Sequence, residues 1–142
     1  MDLQAIRAGL AEVLSNIPDV RVKETLPEAL AASGATTLVV DAGDPYVTYS
    51  EGSGRVNKNT VNMRVVIVPP QPEGRVVFAE IDALLSCGTG QLRSIRNVVG
   101  ENISAGGTAC ATSVQAARVR TITINTQVFV VGEVDIEITA RC

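Results

Sequence analysis

The chain contains no histidine and no tryptophan, and aromatic residues make up only 3% of it. Without histidine the commonest general base and imidazole metal ligand is missing. A nucleophile at Cys87, Cys110 or Ser104 would then need a lysine as its base, and Lys23 and Lys58 are the only two. Few aromatics also weigh against a small-molecule binding module, whose pocket is usually lined by such rings. The three cysteines, Cys87, Cys110 and Cys142, are odd in number and widely spaced. That suits free thiols in a reducing compartment and offers no metal-ligand pattern. No apolar run approaches the ~18 residues needed to cross a bilayer, and Met1-Asp2-Leu3 lacks the basic start of a secretory leader. We expect synthesis in the cytoplasm and no membrane partner. Basic residues are not in excess: 12 face 15 acidic ones, for a net charge of -3. A protein gripping nucleic acid through many phosphate contacts is therefore not expected, although an acidic wall could line a channel through which DNA slides without sticking.

What the chain does have is aliphatic residues. Its 142 residues are 46% hydrophobic, enough for one domain, residues 1–142, to close a core without metals or disulfides. The clearest strand lies at the end, where Val130, Val134, Ile136 and Ile138 alternate with Glu133, Asp135, Glu137 and Thr139. A period of two predicts one dry face and one acidic, wetted face. Those three carboxylates share a face as a solvated strand surface commonly arranges them, and nothing in the pattern separates an acid from a base. The glycine pairs Gly88-Thr89-Gly90 and Gly52-Ser53-Gly54 are too short and wrongly placed for a phosphate cradle. Neither a cofactor nor an enzymatic activity is expected.

At the other end, Leu3, Ile6, Leu10, Val13, Leu14 and Ile17 recur at helical spacing, with Asp2 placed to cap the first turn. Pro18-Asp19 ends that helix, and Val20-Arg21-Val22-Lys23 alternates as a short strand. A connection follows that could hold a helical turn near Glu28-Ala29-Leu30. Residues 36–40 read as a strand running into a loop at Asp41-Ala42-Gly43-Asp44-Pro45. Residues 46–50 and 60–68 read as a hairpin with a long polar tip. That tip carries Glu51, Arg55, Asn57, Lys58 and Asn59. It is either an exposed loop or an arm that orders against a neighbouring subunit or a DNA-bearing channel.

Three prolines between 69 and 72 stop the sheet. Val77, Phe78, Ile81, Leu84 and Leu85 then define a helix over 75–86, and Leu92, Ile95 and Val99 a second one over 91–99, ended by Gly100. Residues 103–112 read as a loop. Two long strands follow, 113–124 and 127–140, with Asn125-Thr126 as the turn. In the first of them Arg118 and Arg120 share parity with Val114, Ala116, Ile122 and Ile124. A basic pair interrupting an apolar face signals a bulge or an interface segment. Arg118 and Arg120, with Glu133, Asp135 and Glu137, are candidate charges between subunits, or edge charges that block aggregation. The expected fold is α+β: a largely antiparallel sheet, two to three helices packed on one face, and a long β-hairpin arm.

Ala5-Ile6-Arg7-Ala8-Gly9-Leu10-Ala11, followed by Ile17-Pro18-Asp19-Val20-Arg21-Val22, resembles the opening of the tail terminator proteins of long-tailed bacteriophages, especially those of actinobacterial phages. The resemblance continues in Ile81-Asp82-Ala83-Leu84-Leu85-Ser86, in Gly88 and Gly90, in Leu92-Arg93-Ser94-Ile95, and in Gly132-Glu133-Val134-Asp135-Ile136-Glu137-Ile138. It departs at Ala116-Ala117-Arg118-Val119-Arg120, where that family's strand usually carries aromatic residues. The resemblance implies a structural virion protein of the neck: a homo-oligomeric ring, hexameric, that caps the tail tube, ends its polymerisation and meets the head-tail connector or head-closure protein. DNA would pass through its channel. A head-closure or tail-tube subunit of the same virion is the neighbouring alternative.

Overall fold

In the computed structural model, which describes residues 1–23, 35–49, 58–70, 74–101, 111–124 and 126–141, Asp2 caps the first helix. Its Oδ1 accepts a hydrogen bond from the Ala5 amide at 3.1 Å, satisfying one of the orphan donors of the first turn. Helix α1 spans Leu3–Leu14 and buries Ile6, Leu10, Val13 and Leu14. Strand β1, Val20–Lys23, follows and pairs in parallel with β2, Thr36–Thr48. Strand β3, Lys58–Val68, returns antiparallel to β2. Helices α2, Arg75–Leu85, and α3, Ile95–Glu101, come next, and β4, Ala111–Ile124, and β5, Gln127–Arg141, finish the chain. The sheet order is β1-β2-β3-β5-β4, so the final hairpin inserts β5 beside β3 and leaves β4 outermost. The fold is α+β, with one parallel pair in an otherwise antiparallel sheet.

All three helices lie against one sheet face. Ile6, Leu10 and Leu14 of α1, Val77, Ile81 and Leu84 of α2, and Ile95 and Val99 of α3 share a core with Leu38, Val40, Met63, Val65, Ile67, Val134, Ile136 and Ile138. Alternation along each strand supplies that face. Gly132 belongs to it for a steric reason: a Cβ there would stand 3.1 Å from Ile67 Cδ1 and 3.2 Å from Ile81 Cγ2. Helix α2 thus rests on β5 where a side chain is missing.

Several details differ from the sequence reading. The turn-rich segment 41–45 is not a loop between two strands but an irregularity inside β2, whose pairing with β3 breaks between Ala42 and Val47 and resumes. Gly43 sits so close to β3 that a Cβ would fall 2.7 Å from the Asn62 carbonyl oxygen. Asn62 Nδ2 in turn donates to the Pro45 oxygen at 2.9 Å. Glycine and proline here mark a bulge, which tolerates both. Helix α3 begins at Ile95 rather than 91, because Ser94 caps it: the Ser94 hydroxyl accepts from the Asn97 amide at 3.1 Å. Leu92 therefore lies outside the helix and is 80% exposed, and Gly100 falls within the last turn. Strand β4 starts at Ala111, so Thr112, read as loop, is a buried strand residue. Ile124 pairs with Gln127, and Thr126 takes a φ of 67°, the left-handed conformation of tight hairpin turns. The expected helical turn near Glu28-Ala29-Leu30 lies outside the described residues.

One pairing that no sequence period announces joins four segments. Arg93 Nη1 and Nη2 donate to the two Glu80 oxygens at 2.9 and 3.0 Å, Arg93 Nε to the Pro18 carbonyl at 3.1 Å, and the Thr36 hydroxyl to Glu80 Oε2 at 2.7 Å. The fork ties α2 and the segment before α3 to the α1–β1 turn and the start of β2. The Arg93 hydrogen bond holds the Glu80 carboxyl below its ordinary pKa, with partial burial opposing and Thr36 assisting.

Candidate interaction surface

The face away from the helices is not uniformly wet. Val39, Val66, Val68, Phe129 and Val131 form a second buried apolar cluster there, with Ile122 packed against it. Glu133 itself is 1% exposed, and Asp135, Glu137 and Thr139 are half-buried. The odd positions of β5 are therefore acidic but not freely solvated, which corrects the simple division into a dry and a wetted face. The cause lies in the neighbouring strands, because a central strand is flanked on both sides by side chains that reach across it.

Those side chains arrive through a bulge at Gln115. The β4–β5 register steps from Val114 opposite Ile136 to Ala116 opposite Asp135. One extra residue reverses the parity of everything after it. Before the bulge Val114 packs on the main core. After it Arg118 stands opposite Glu133 and Arg120 opposite Val131, both on the face away from the helices, while Ala117, Val119 and Thr121 turn to the helix side. The basic pair thus leaves the core face of Val114, because the bulge turns it to the other face, where it borders Ile122 and the smaller apolar cluster.

Arg118, Arg120 and Arg64 of β3 surround two carboxylates of β5. Arg120 Nη2 lies 2.8 Å from Glu133 Oε2, Arg118 Nη1 3.5 Å from Oε1, and Arg64 Nε 3.8 Å from Oε2. Arg118 also grips both oxygens of Asp135, and Arg64 Nε reaches Asp135 Oδ1 at 3.4 Å. The Arg118 hydrogen bonds hold the Asp135 carboxyl below its usual pKa, against partial burial and with help from Arg64. Glu133 Oε2 makes no hydrogen bond of good geometry despite the nearby Arg120. Charge proximity is what compensates its burial.

Arg118, Arg120, Glu133 and Asp135, expected as candidate charges between subunits, are thus paired within one chain, and Glu137 lies two positions farther along the same face. Arg64 was missed, although its parity with Asn62 on β3 could have placed it there. Arg118 and Arg120 keep 43% and 49% of their side-chain surface exposed even while paired. Of the expected hairpin arm, Glu51, Arg55 and Asn57 lie outside the described residues. Lys58 begins β3, and Asn59 is a buried β3 residue opposite Ala140.

Strand β4 is the sheet margin. Among the described residues nothing pairs with its outer side, and residues 115–121 are all exposed. On the helix side an open cleft of about 340 Å³ runs along it, where Leu84, Ile95, Ala117 and Val134 meet the polar groups Cys87, Arg96 and Gln115. Beyond Gly132, where α2 packs, Val119 and Val128 stand exposed on the same side. Val76 and Phe78 of α2 are exposed as well. Among the described residues no group of three or more metal-ligating side chains comes together, and no helix is long and apolar enough to cross a membrane. No family model matches this chain, and no curated protein sequence matches it either.

Proposed function

We propose that this chain is a structural virion protein of the phage neck, a tail terminator that acts by contact and transforms no bound molecule. A hexameric ring of it would cap the tail tube, end its polymerisation and join the tail to the head connector or head-closure protein. It would be assembled in the host cytoplasm and kept in the virion. The observation that carries the reading is the β4–β5 hairpin, whose outer strand is exposed throughout residues 115–121 and whose helix-side face shows Val119 and Val128 to solvent. A long uncovered margin is an aggregation liability unless something docks there.

Ring closure needs two different surfaces on each copy that fit one another. The apolar side chains Val76 and Phe78 on α2, and Val128 at the start of β5, belong to different elements and are suited to such a heterologous contact. The family-like segments support the reading through their placement. Ala5 to Ala11 lies in α1, Ile17 to Val22 in the turn and β1, Ile81 to Leu85 in α2, and Gly132 to Ile138 in β5. A net charge of -3 suits a channel that DNA must leave without sticking. The test is the mass of the purified chain by analytical ultracentrifugation, together with its addition to polymerising tail-tube protein. A closed hexamer that arrests tube growth is expected. A strict monomer that leaves tubes growing would overturn the proposal.

A further inference from the structure

The outer margin of β4 presents different chemistry on its two sides. On the face away from the helices stand Arg118 and Arg120, each about half exposed. On the helix side stand Ala117 and Val119, beside a cleft whose floor is Leu84, Ile95 and Val134 and whose rim carries Cys87, Arg96 and Gln115. An extended segment added to this margin would alternate its side chains between those two environments. Its complement is therefore a strand of alternating acidic and apolar residues. Strand β5 already illustrates the match from the inner side, since Glu133 and Asp135 meet the arginines while Val134 and Ile136 join the core.

From this we infer that β4 is an edge-docking site for an extended acidic-apolar segment of a partner protein, which places carboxylates on Arg118 and Arg120 and an aliphatic side chain in the cleft beside Ala117. A second copy of this chain does not fit. Its other margin, β1, packs Val20 and Val22 against the main core, so alternation sends Arg21 and Lys23 to the face that carries Arg118 and Arg120 in β4. Pairing β4 with β1 would align like charges, and pairing β4 with β4 would set arginine against arginine; both are unfavourable. Small Ala117 matters because it leaves the cleft open, and the Gln115 bulge matters because it sends the arginines to the opposite face from the cleft. The inference rests on the assembly reading only in assigning the segment to another virion component; edge docking itself is measurable on the isolated chain.

The test uses fluorescein-labelled eight-residue peptides and the purified chain, read by fluorescence anisotropy. A Val/Glu alternating peptide should bind at least tenfold tighter than its Val/Lys counterpart, and binding should weaken with added salt. N-methylation at alternate residues should abolish binding in one phase and spare it in the other, because only one edge of the peptide faces β4. Ala117→Phe, at an exposed position that leaves the arginine network intact, should fill the cleft and lower affinity about tenfold without changing the mass of the assembly. Equal binding of the two peptides, or none, would overturn the site. So would an Ala117→Phe variant whose ring falls apart, because the occupant would then be a second copy. A chain that binds the Val/Glu peptide yet stays monomeric would sink the ring and leave the docking site standing.

Discussion

Replacing Arg118 and Arg120 together by alanine should destabilise the fold more than any pair of exposed charges ordinarily can. Glu133 is 2% exposed at its side chain, with guanidinium nitrogens at 2.8, 3.5 and 3.8 Å. At such separations, and with an effective dielectric constant of about 20, each unit-charge pair is worth about 4–6 kcal/mol before desolvation is subtracted. Removing both β4 arginines leaves Glu133 buried beside Arg64 alone, at the longest of the three distances. Stranding a buried charge in this way typically costs about 3–5 kcal/mol. Because the arginines are about half exposed and water can enter where they stood, a loss of about 2–4 kcal/mol is the better expectation here. Either single replacement should cost clearly less than the double, because one β4 arginine then still faces Glu133.

The measurement is urea unfolding followed by circular dichroism at fixed protein concentration, with Arg21→Ala as an exposed control expected within about 0.5 kcal/mol of the parent. The decisive arm adds Glu133→Val to the double variant. Glu133 lies opposite Val66 and two residues from buried Val131, so valine extends an existing apolar cluster and removes the stranded charge. At least half of the lost stability should return. A double variant within about 0.5 kcal/mol of the parent, or no recovery with valine, would show that burial of Glu133 is not what the arginines compensate.

Gly43→Ala should cost at least about 1–3 kcal/mol in the same assay, since its Cβ would meet the Asn62 backbone at 2.7 Å and one strand must move away from the other. Gly132→Val should lose a similar amount by lifting α2 from β5, with Ile81 and Ile67 as the displaced neighbours. Ser94→Ala removes the cap of α3 and should cost about 1 kcal/mol in the same assay. Glu80 has a depressed pKa in the folded state, so its pairing with Arg93 stabilises the fold above the ordinary glutamate pKa, and that contribution disappears as pH falls through the lower folded value. The stability gap between the parent and Glu80→Gln should therefore be constant from about pH 6 to 8 and narrow below about pH 4, as measured by urea unfolding at each pH.

Periodicity made the helices and long strands legible. Ile6, Leu10 and Leu14 repeat on α1, Val77, Ile81 and Leu84 on α2, and Val134, Ile136 and Ile138 on β5, each a regular stripe that one sheet face or core can absorb. Irregularities were only partly legible. The parity conflict at Arg118 and Arg120 pointed to a bulge in β4, because basic residues do not sit comfortably among inward valines and isoleucines. The turn formers at 41–45 pointed the other way: glycine and proline signal a loop and a bulge alike, and only the pairing of Val47 with Val61 decides between them. The Glu80–Arg93 fork was invisible because it joins residues 13 apart to segments near positions 18 and 36, a contact set by tertiary packing rather than by any local repeat.

The charged site shows why a residue's type foretold less than its strand position. Glu133, Asp135 and Glu137 look alike in the sequence, yet Glu133 is buried, Asp135 is gripped by Arg118, and Glu137 lies farther along the strand opposite Ser113. What separates them is which β4 residue stands across the ladder, and the single extra residue at Gln115 decides that. Shift the register by one, and Arg118 and Arg120 would turn toward the helix side, so that Glu133 would lose two of its three compensating cations. The bulge therefore serves stability and recognition with one distortion. It completes the compensation of a buried acid inside the chain, and it leaves the same two arginines about half exposed along the unpaired strand.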